Sequence, residues 1–201
     1  MSDDDMSDRT GNLRWRLREE TATAHEALER DLAWEQRIAS LEGYRGLLGR
    51  LRGFHAMIEP EIGRALADDA FFAPRRRLAL LDADLRHLGL SEAEIAALPR
   101  PEPMTLSGPA QALGALYVLE GSTLGGKVIG RRVAALHGFD AEAGAAYYGG
   151  HGDQAGALWR SFCARLDEAP EADAPAIVAT ADALFEAMRL WLCAPAGTAA
   201  A

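Results

Sequence analysis

The chain has 201 residues, 49% of them hydrophobic and 25% charged, which is ordinary usage for a soluble globular protein and excludes collagen, bulk disorder and small disulfide scaffolds. With 21 basic against 30 acidic residues, net −9, there is no diffuse cationic surface for nucleic acid or an anionic membrane, and any anionic ligand must meet a local basic cluster. Cys163 and Cys193 are the sole cysteines, without CxxC or short Cys/His spacing, so neither a disulfide framework nor a structural zinc site is expected and a reducing cytoplasm is the simplest compartment. The segment from Met1 to Thr10 is acidic and polar where a signal peptide would be basic then apolar, and no apolar run reaches the roughly 18 residues that span a bilayer.

Apolar positions recur at helical intervals and β-branched residues are sparse, which predicts an all-α chain. After an acidic tail over residues 1–10, expected to be disordered, a single domain over 11–194 is predicted, followed by a flexible Ala/Gly/Pro tail over 195–201. Leu13, Leu17, Thr21, Ala24 and Leu28 form one stripe of a first helix over about 11–31. Trp34 and Ile38 continue that apolar surface. Ser40 is an N-cap for a long helix from Leu41 to about Ala67, with a core face of Tyr44, Leu47, Leu48, Leu51, Phe54, Ile58 and Ile62 and a bend expected at Pro60. A third helix is expected over about 75–87, ending at Gly89, and Ser91 with Glu94 has capping-box spacing for a short one. The stretch Pro99 to Pro109 is a linker.

From about Ala110 to His137 the pattern is helical again, yet it contains Gly114, Gly121, Gly125, Gly126 and Gly130. Each interior glycine costs roughly 1 kcal/mol relative to alanine, so something must require close backbone approach: a packed neighbouring helix or a flat ligand against bare backbone. These glycines lie within a helix and match neither GxGxxG nor the P-loop, so a nucleotide site is a poor explanation. Residues 147–152 read as a loop, and two final helices are expected over about 154–166 and 174–193.

His25 has Glu29 one turn later. A carboxylate accepting from one imidazole nitrogen leaves the other free to bind a metal, although the same pair also occurs as a plain helix-surface hydrogen bond. Arg18 stands seven residues before His25, about 10.5 Å along the same face, a spacing that suits a flat ligand with its metal on His25 and its carboxylates at Arg18. His55 and Glu59 form a similar pair that reads as structural beside Pro60. Arg75-Arg76-Arg77 reads as a solvated face or a dock for an acidic electron donor, and His87 and His137 read as helix C-terminal residues. His151 reads as a solvated loop residue, with a place at a pocket mouth as the alternative. Both cysteines fall on apolar helical faces, where inert buried thiols are expected.

The run Leu17-Arg18-Glu19-Glu20-Thr21 through His25 and Glu29, followed in order by Tyr117-Val118-Leu119-Glu120-Gly121-Ser122-Thr123-Leu124-Gly125-Gly126, resembles the heme oxygenase family, and most closely its bacterial, bacteriophytochrome-associated branch. The resemblance extends from about Asn12 to Leu192. It implies an all-α fold holding heme b, substrate and cofactor at once, between a proximal helix and a glycine-kinked distal helix. It also implies an oxidoreductase that uses O2 and external electrons from a reductase or ferredoxin, releases biliverdin, iron and carbon monoxide, and can pass biliverdin to a bacteriophytochrome. By position, His25 matches the iron ligand and Glu29 the residue that interacts with it. Arg18 and Arg160 match propionate contacts, with arginine in place of lysine. Gly121, Gly125 and Gly126 match the distal glycines. Ser122 departs from the aspartate that many members carry to order distal water. That departure keeps a second reading open, a heme-binding or heme-transfer protein that does not open the ring. A di-iron site or a hydrolase on the same architecture would need Glu-x-x-His pairs or an activated nucleophile, which the chain does not offer.

Overall fold

The computed structural model describes residues 12–194, so the two expected tails, 1–10 and 195–201, lie outside the described residues. Helices α1 (Leu13–Glu20) and α2 (Ala22–Leu32) meet at Thr21, where the expected single helix is interrupted because the Thr21 hydroxyl donates back to the Leu17 carbonyl at 2.7 Å. Such back-bonding disturbs a helix without ending its direction, and the predicted stripe survives: Leu17, Thr21 and Leu28 are buried. The Asn12 side chain caps α1. Ala33, in the left-handed region at φ 44°, turns the chain into the short α3 (Trp34–Arg37).

The Ser40 hydroxyl accepts from the Gly43 amide at 3.0 Å and starts α4 (Leu41–Leu66). All seven residues assigned to its core face are buried, and the helix continues through Pro60, which is exposed. A short α5 (Asp69–Phe72) and a 3-10 turn (Ala73–Arg75) precede α6 (Leu78–His87). The third helix therefore starts three residues later than the sequence predicts, because Arg75 and Arg77 are drawn inward. Ser91 and Glu94 form the capping box of α7 (Glu92–Ala96).

The glycine-bearing segment is one helix, α8 (Pro109–His137), closed by Gly138 at φ 74°. Tyr147 and Tyr148 lie on a short helix, α9 (Ala146–Gly149), rather than in the expected loop, and both are buried. Helices α10 (Ala155–Asp167) and α11 (Ala174–Cys193) complete the chain.

The core forms where α8 packs between α4 and α11, with α6 against the far side of α4 and α1 and α2 against α11. Gly114 makes the α8 to α11 contact possible, since a Cβ there would stand 2.2 Å from the Ile177 carbonyl oxygen. Among the described residues no helix is long and apolar enough to cross a membrane.

Candidate active site

A cavity of about 530 Å³ opens between α2 and the glycine stretch of α8, within the size range of small-molecule sites. Helix α2 contributes His25, Leu28, Glu29 and Leu32, and α4 contributes Leu47 and Leu51. Opposite them stand Gly121, Ser122, Gly125 and Gly126 of α8, with Tyr147 and Tyr148 of α9 and Met188 and Leu192 of α11 at the sides. The apolar members come from several separate helices, so the hollow is a gap left in one continuous core.

His25 lies outside the buried stripe of its helix. Its side chain is 49% exposed and stands at the cavity edge. The ring meets Phe185 edge-on with centroids 5.2 Å apart. Nε2 lies 3.6 Å from Glu29 Oε1, an ion-pair separation too long for a hydrogen bond, so Glu29 accompanies the histidine without fixing its tautomer. Arg18 and Arg160 are exposed, on α1 and α10, and neither lines the cavity. Arg18 is near Tyr117 of α8: burial pushes that phenol up, against a hydrogen bond shared with Thr21 and the Arg18 charge.

The glycines divide into two groups. A Cβ at Gly121 or Gly125 would meet nothing within 4 Å, so no packed neighbour requires these two, and both line the cavity. Gly126 and Gly130 instead face Tyr148, at 3.5 Å and 3.1 Å from a built Cβ. Helix packing therefore explains Gly114 and Gly130, and open space explains Gly121 and Gly125.

Behind this wall lies a buried polar cluster that periodicity alone does not reveal. His55 is fully buried, with Nδ1 2.7 Å from Glu59 Oε1 and Nε2 3.0 Å from the Tyr147 hydroxyl. Glu59 Oε1 also accepts from the backbone amides of Arg77 and Leu78, at 2.9 and 3.0 Å. Three donors thus converge on one oxygen. Burial pushes His55 below the usual histidine range, against the Glu59 hydrogen bond that favours its charged form. The ring is thus neutral, donates from Nδ1 to Glu59, and accepts the Tyr147 hydroxyl proton at Nε2.

The arginine run is not a solvated face. Arg75 and Arg77 are only 5% and 3% exposed, while Arg76 alone is outside. Arg75 reaches Ser161 Oγ at 2.5 Å, the Leu158 carbonyl at 3.0 Å and Glu120 Oε1 at 3.3 Å, which ties α8 and α10 together. Burial pushes Glu120 up, and the Arg75 and Arg77 charges oppose that shift. Arg77 donates to Ser122 Oγ at 2.6 Å and to the Leu119 carbonyl and the Tyr147 hydroxyl, both at 3.2 Å. These partners rule out the docking role for Arg75 and Arg77. His151 is half-buried beside the same arginines and is absent from the cavity wall; burial, then the charges of Arg77 and Arg75, hold it below the usual histidine range.

A gap between one histidine-bearing helix and one bare-backbone helix is the arrangement that the two sequence motifs imply. The heme oxygenase family model matches residues 11–193, nearly the whole chain. The chain belongs to the heme oxygenase family. A heme oxygenase from Xanthomonas campestris pv. campestris is 39% identical over 127 residues, 61% of this chain and 70% of the relative. The same fold occurs in the heme oxygenase of Neisseria meningitidis, solved with NO and CO bound, with a TM-score of 0.75 at 22% identity over 94% of this chain and 96% of that one. It also occurs in the heme oxygenase of Leptospira interrogans, with a TM-score of 0.71 at 17% identity over 90% and 98%. The expected all-α heme oxygenase fold is therefore the observed one, although the histidine-bearing segment is two helices and the glycine-bearing wall carries an arginine-backed serine.

Proposed function

We propose that this chain is a heme oxygenase that takes heme b as substrate and cofactor and, with O2 and external electrons, releases biliverdin, iron and carbon monoxide. The observation that carries the reading is the pairing of His25 with two helical glycines, Gly121 and Gly125, that face open space across one apolar cavity. A flat apolar macrocycle fits such a slot, because its faces can lie against leucine side chains on one side and bare backbone on the other. Bound heme supplies the iron at which oxygen and electrons meet. The protein supplies the rest. His25 would hold the iron, with the Glu29 carboxylate beside it at 3.6 Å. Gly121, Gly125 and Gly126 would leave the opposite face uncrowded. Ser122 and Tyr147 would present hydroxyl oxygens there, and the leucines and Met188 would exclude bulk water.

Arg18 and Arg160 are assigned to the propionates. Burying a dianion's carboxylates among apolar side chains carries a large desolvation penalty, so these groups belong at the mouth, in reach of exposed guanidinium groups. A guanidinium also offers bidentate geometry that a lysine lacks. Each single arginine-to-alanine variant is expected to bind heme roughly 10-fold more weakly, the loss of one charge-assisted contact, with iron coordination unchanged. Heme titration of both variants tests this, and unchanged affinity together with an unchanged bilin isomer would assign the carboxylates to other residues.

The activity is tested directly by supplying reductant and oxygen to the heme complex. The Soret band is expected to give way to a bilin spectrum. A Soret band that persists under turnover conditions favours the heme-transfer reading that Ser122 keeps open. The electron donor is assigned to the class of reductases or ferredoxins, the biliverdin acceptor to a bacteriophytochrome, and the compartment to the cytoplasm.

A further inference from the structure

Helix α2 carries His25 yet has little to hold it. Of its 11 residues only Leu28 is buried, and the helix is bounded by the interruption at Thr21 and the left-handed turn at Ala33. Its packing partner is α11, and two specific contacts with that helix fall on either side of Leu28. The His25 ring meets Phe185 edge-on at 5.2 Å, and the Asp31 carboxylate accepts from Arg189 Nη1 at 2.8 Å. At 3.6 residues per turn, Leu28 lies about 60° around the helix from His25, and Asp31 about 60° farther the same way. The buried leucine is therefore a pivot with one contact on each flank.

A solvated ion pair contributes little, since holding two long side chains in one geometry costs entropy that a screened attraction barely offsets. This pair is prepared. Its side chains are only 28% and 29% exposed, and Arg189 is already held in plane by its own helix. It donates from Nε and Nη2 to the two oxygens of Glu186, at 2.8 and 2.6 Å, which leaves Nη1 aimed at α2. Asp31 stands in the last turn of α2, where the helix dipole disfavours a carboxylate unless a cation faces it. Arg189 is that cation: its hydrogen bond holds the Asp31 carboxyl below the usual carboxylate range, against the effect of burial. Arg30 also reaches Asp31, at 3.1 Å, but it belongs to the same helix and cannot tie α2 to α11.

We propose that Arg189 is a positioning residue that grips Asp31 on the flank of α2 away from His25, so that the helix does not roll about Leu28 and the imidazole keeps its place at the cavity edge. Phe185 alone cannot do this. A ring contact on one flank leaves the roll unopposed in one direction, whereas a contact on each flank stops it in both. This inference rests on the heme reading, and its first readout needs no ligand. In the apo protein, amide hydrogen exchange across α2 is expected to quicken about 2–5-fold in Asp31→Asn and in Arg189→Met, the range of one ion pair, and in Asp31→Asn the α11 amides keep the parent rate. The direction is diagnostic, because asparagine in the last turn relieves the dipole and would by itself slow exchange. The double variant is expected to lose no more than either single one, since both act through one contact. Arg14→Ala removes a different ion pair between helices, with Asp167 at 3.1 Å, and is expected to leave α2 exchange at the parent rate.

The second readout is made on the heme complex. Asp31→Asn and Arg189→Met are expected to broaden its ferric EPR signal, which a loss of stability alone does not move, and to release heme to excess apomyoglobin about 2–5-fold faster. Arg189→Lys, which keeps a charge toward Asp31, is expected to recover part of both. Parent-like exchange across α2 in Asp31→Asn overturns the inference, as does a double variant that loses the sum of the single ones. Faster exchange with an unchanged EPR signal and unchanged heme release also overturns it, because the pair would then be a structural tie that the ligand does not feel. A parent chain that takes up no heme sinks the functional reading and this inference with it, whereas a parent that binds heme and variants that do not differ from it sink this inference alone.

Discussion

His25→Ala is expected to leave a folded protein that holds heme weakly and forms no measurable bilin. The side chain is 49% exposed at the edge of the cavity and makes one ring contact, edge-on with Phe185, so its removal leaves the core intact and the cost falls on the ligand. Substitutions at a residue that merely accompanies a metal ligand cost about 10–100-fold in affinity or activity. Glu29→Gln, changing a partner already 3.6 Å away, belongs at the low end of that range, and His25→Ala beyond its upper end. Added imidazole should restore part of the histidine-ligated spectrum in the alanine variant, since the space vacated opens on the cavity. An unchanged histidine-ligated spectrum in His25→Ala without imidazole would end the assignment. Equal losses in His25→Ala and Glu29→Gln would show instead that the pair acts as a helix-surface contact whose disruption disturbs α2 as a whole.

The parts of the fold that the sequence reveals are those governed by local rules. Ser40 and Ser91 cap their helices because a short hydroxyl side chain meets amides that have no partner within the helix, and that requirement is visible in a few residues. The core face of α4 follows from a 3.6-residue period held over 26 residues. Arg75 and Arg77 are different. A run of three arginines resembles a solvated face in any local window, and their burial depends on Glu120, 45 residues after Arg75, and on Tyr147, 70 residues after Arg77. A signal did exist. Glu120 falls inside the apolar pattern of α8, and His55 and Glu59 inside that of α4. Buried ionisable groups must be paired or neutral, so a carboxylate such as Glu120 on a core face requires opposite charge from elsewhere in the chain. The adjacent arginines of the 3-10 turn and α6 start are what provides it. Tyr147 escapes for a related reason: a Gly-Gly-His-Gly context suggests a loop, while Asp84 on α6 holds the Ala146 and Tyr147 amides at 2.7 and 2.9 Å and winds a turn of helix there.

The glycines of α8 give the sharpest separation between packing and ligand space, because three of them respond oppositely to the same methyl group. At Gly114 the methyl would stand 2.2 Å from a backbone carbonyl of α11, so α8 and α11 must part, and Gly114→Ala is expected to destabilise the fold by about 1–3 kcal/mol, the usual range for overpacking a core. At Gly121 and Gly125 the methyl meets open space, and alanine gains roughly 1 kcal/mol of helix propensity through the reduced freedom of the unfolded chain. Gly121→Ala and Gly125→Ala should therefore melt at or above the parent temperature. Their bilin yield is nonetheless expected to fall at least 10-fold, since the methyl projects from the wall into the slot proposed for the macrocycle. Thermal melts of the apo protein, set beside bilin yield from the heme complex, separate the two effects. Loss of stability at Gly121 and Gly125 comparable to that at Gly114 would place a packed neighbour where the structure has space. Full bilin yield from stable Gly121→Ala and Gly125→Ala would show that the cavity does not need their bare backbone, and the heme would then have to lie elsewhere than against this stretch of α8.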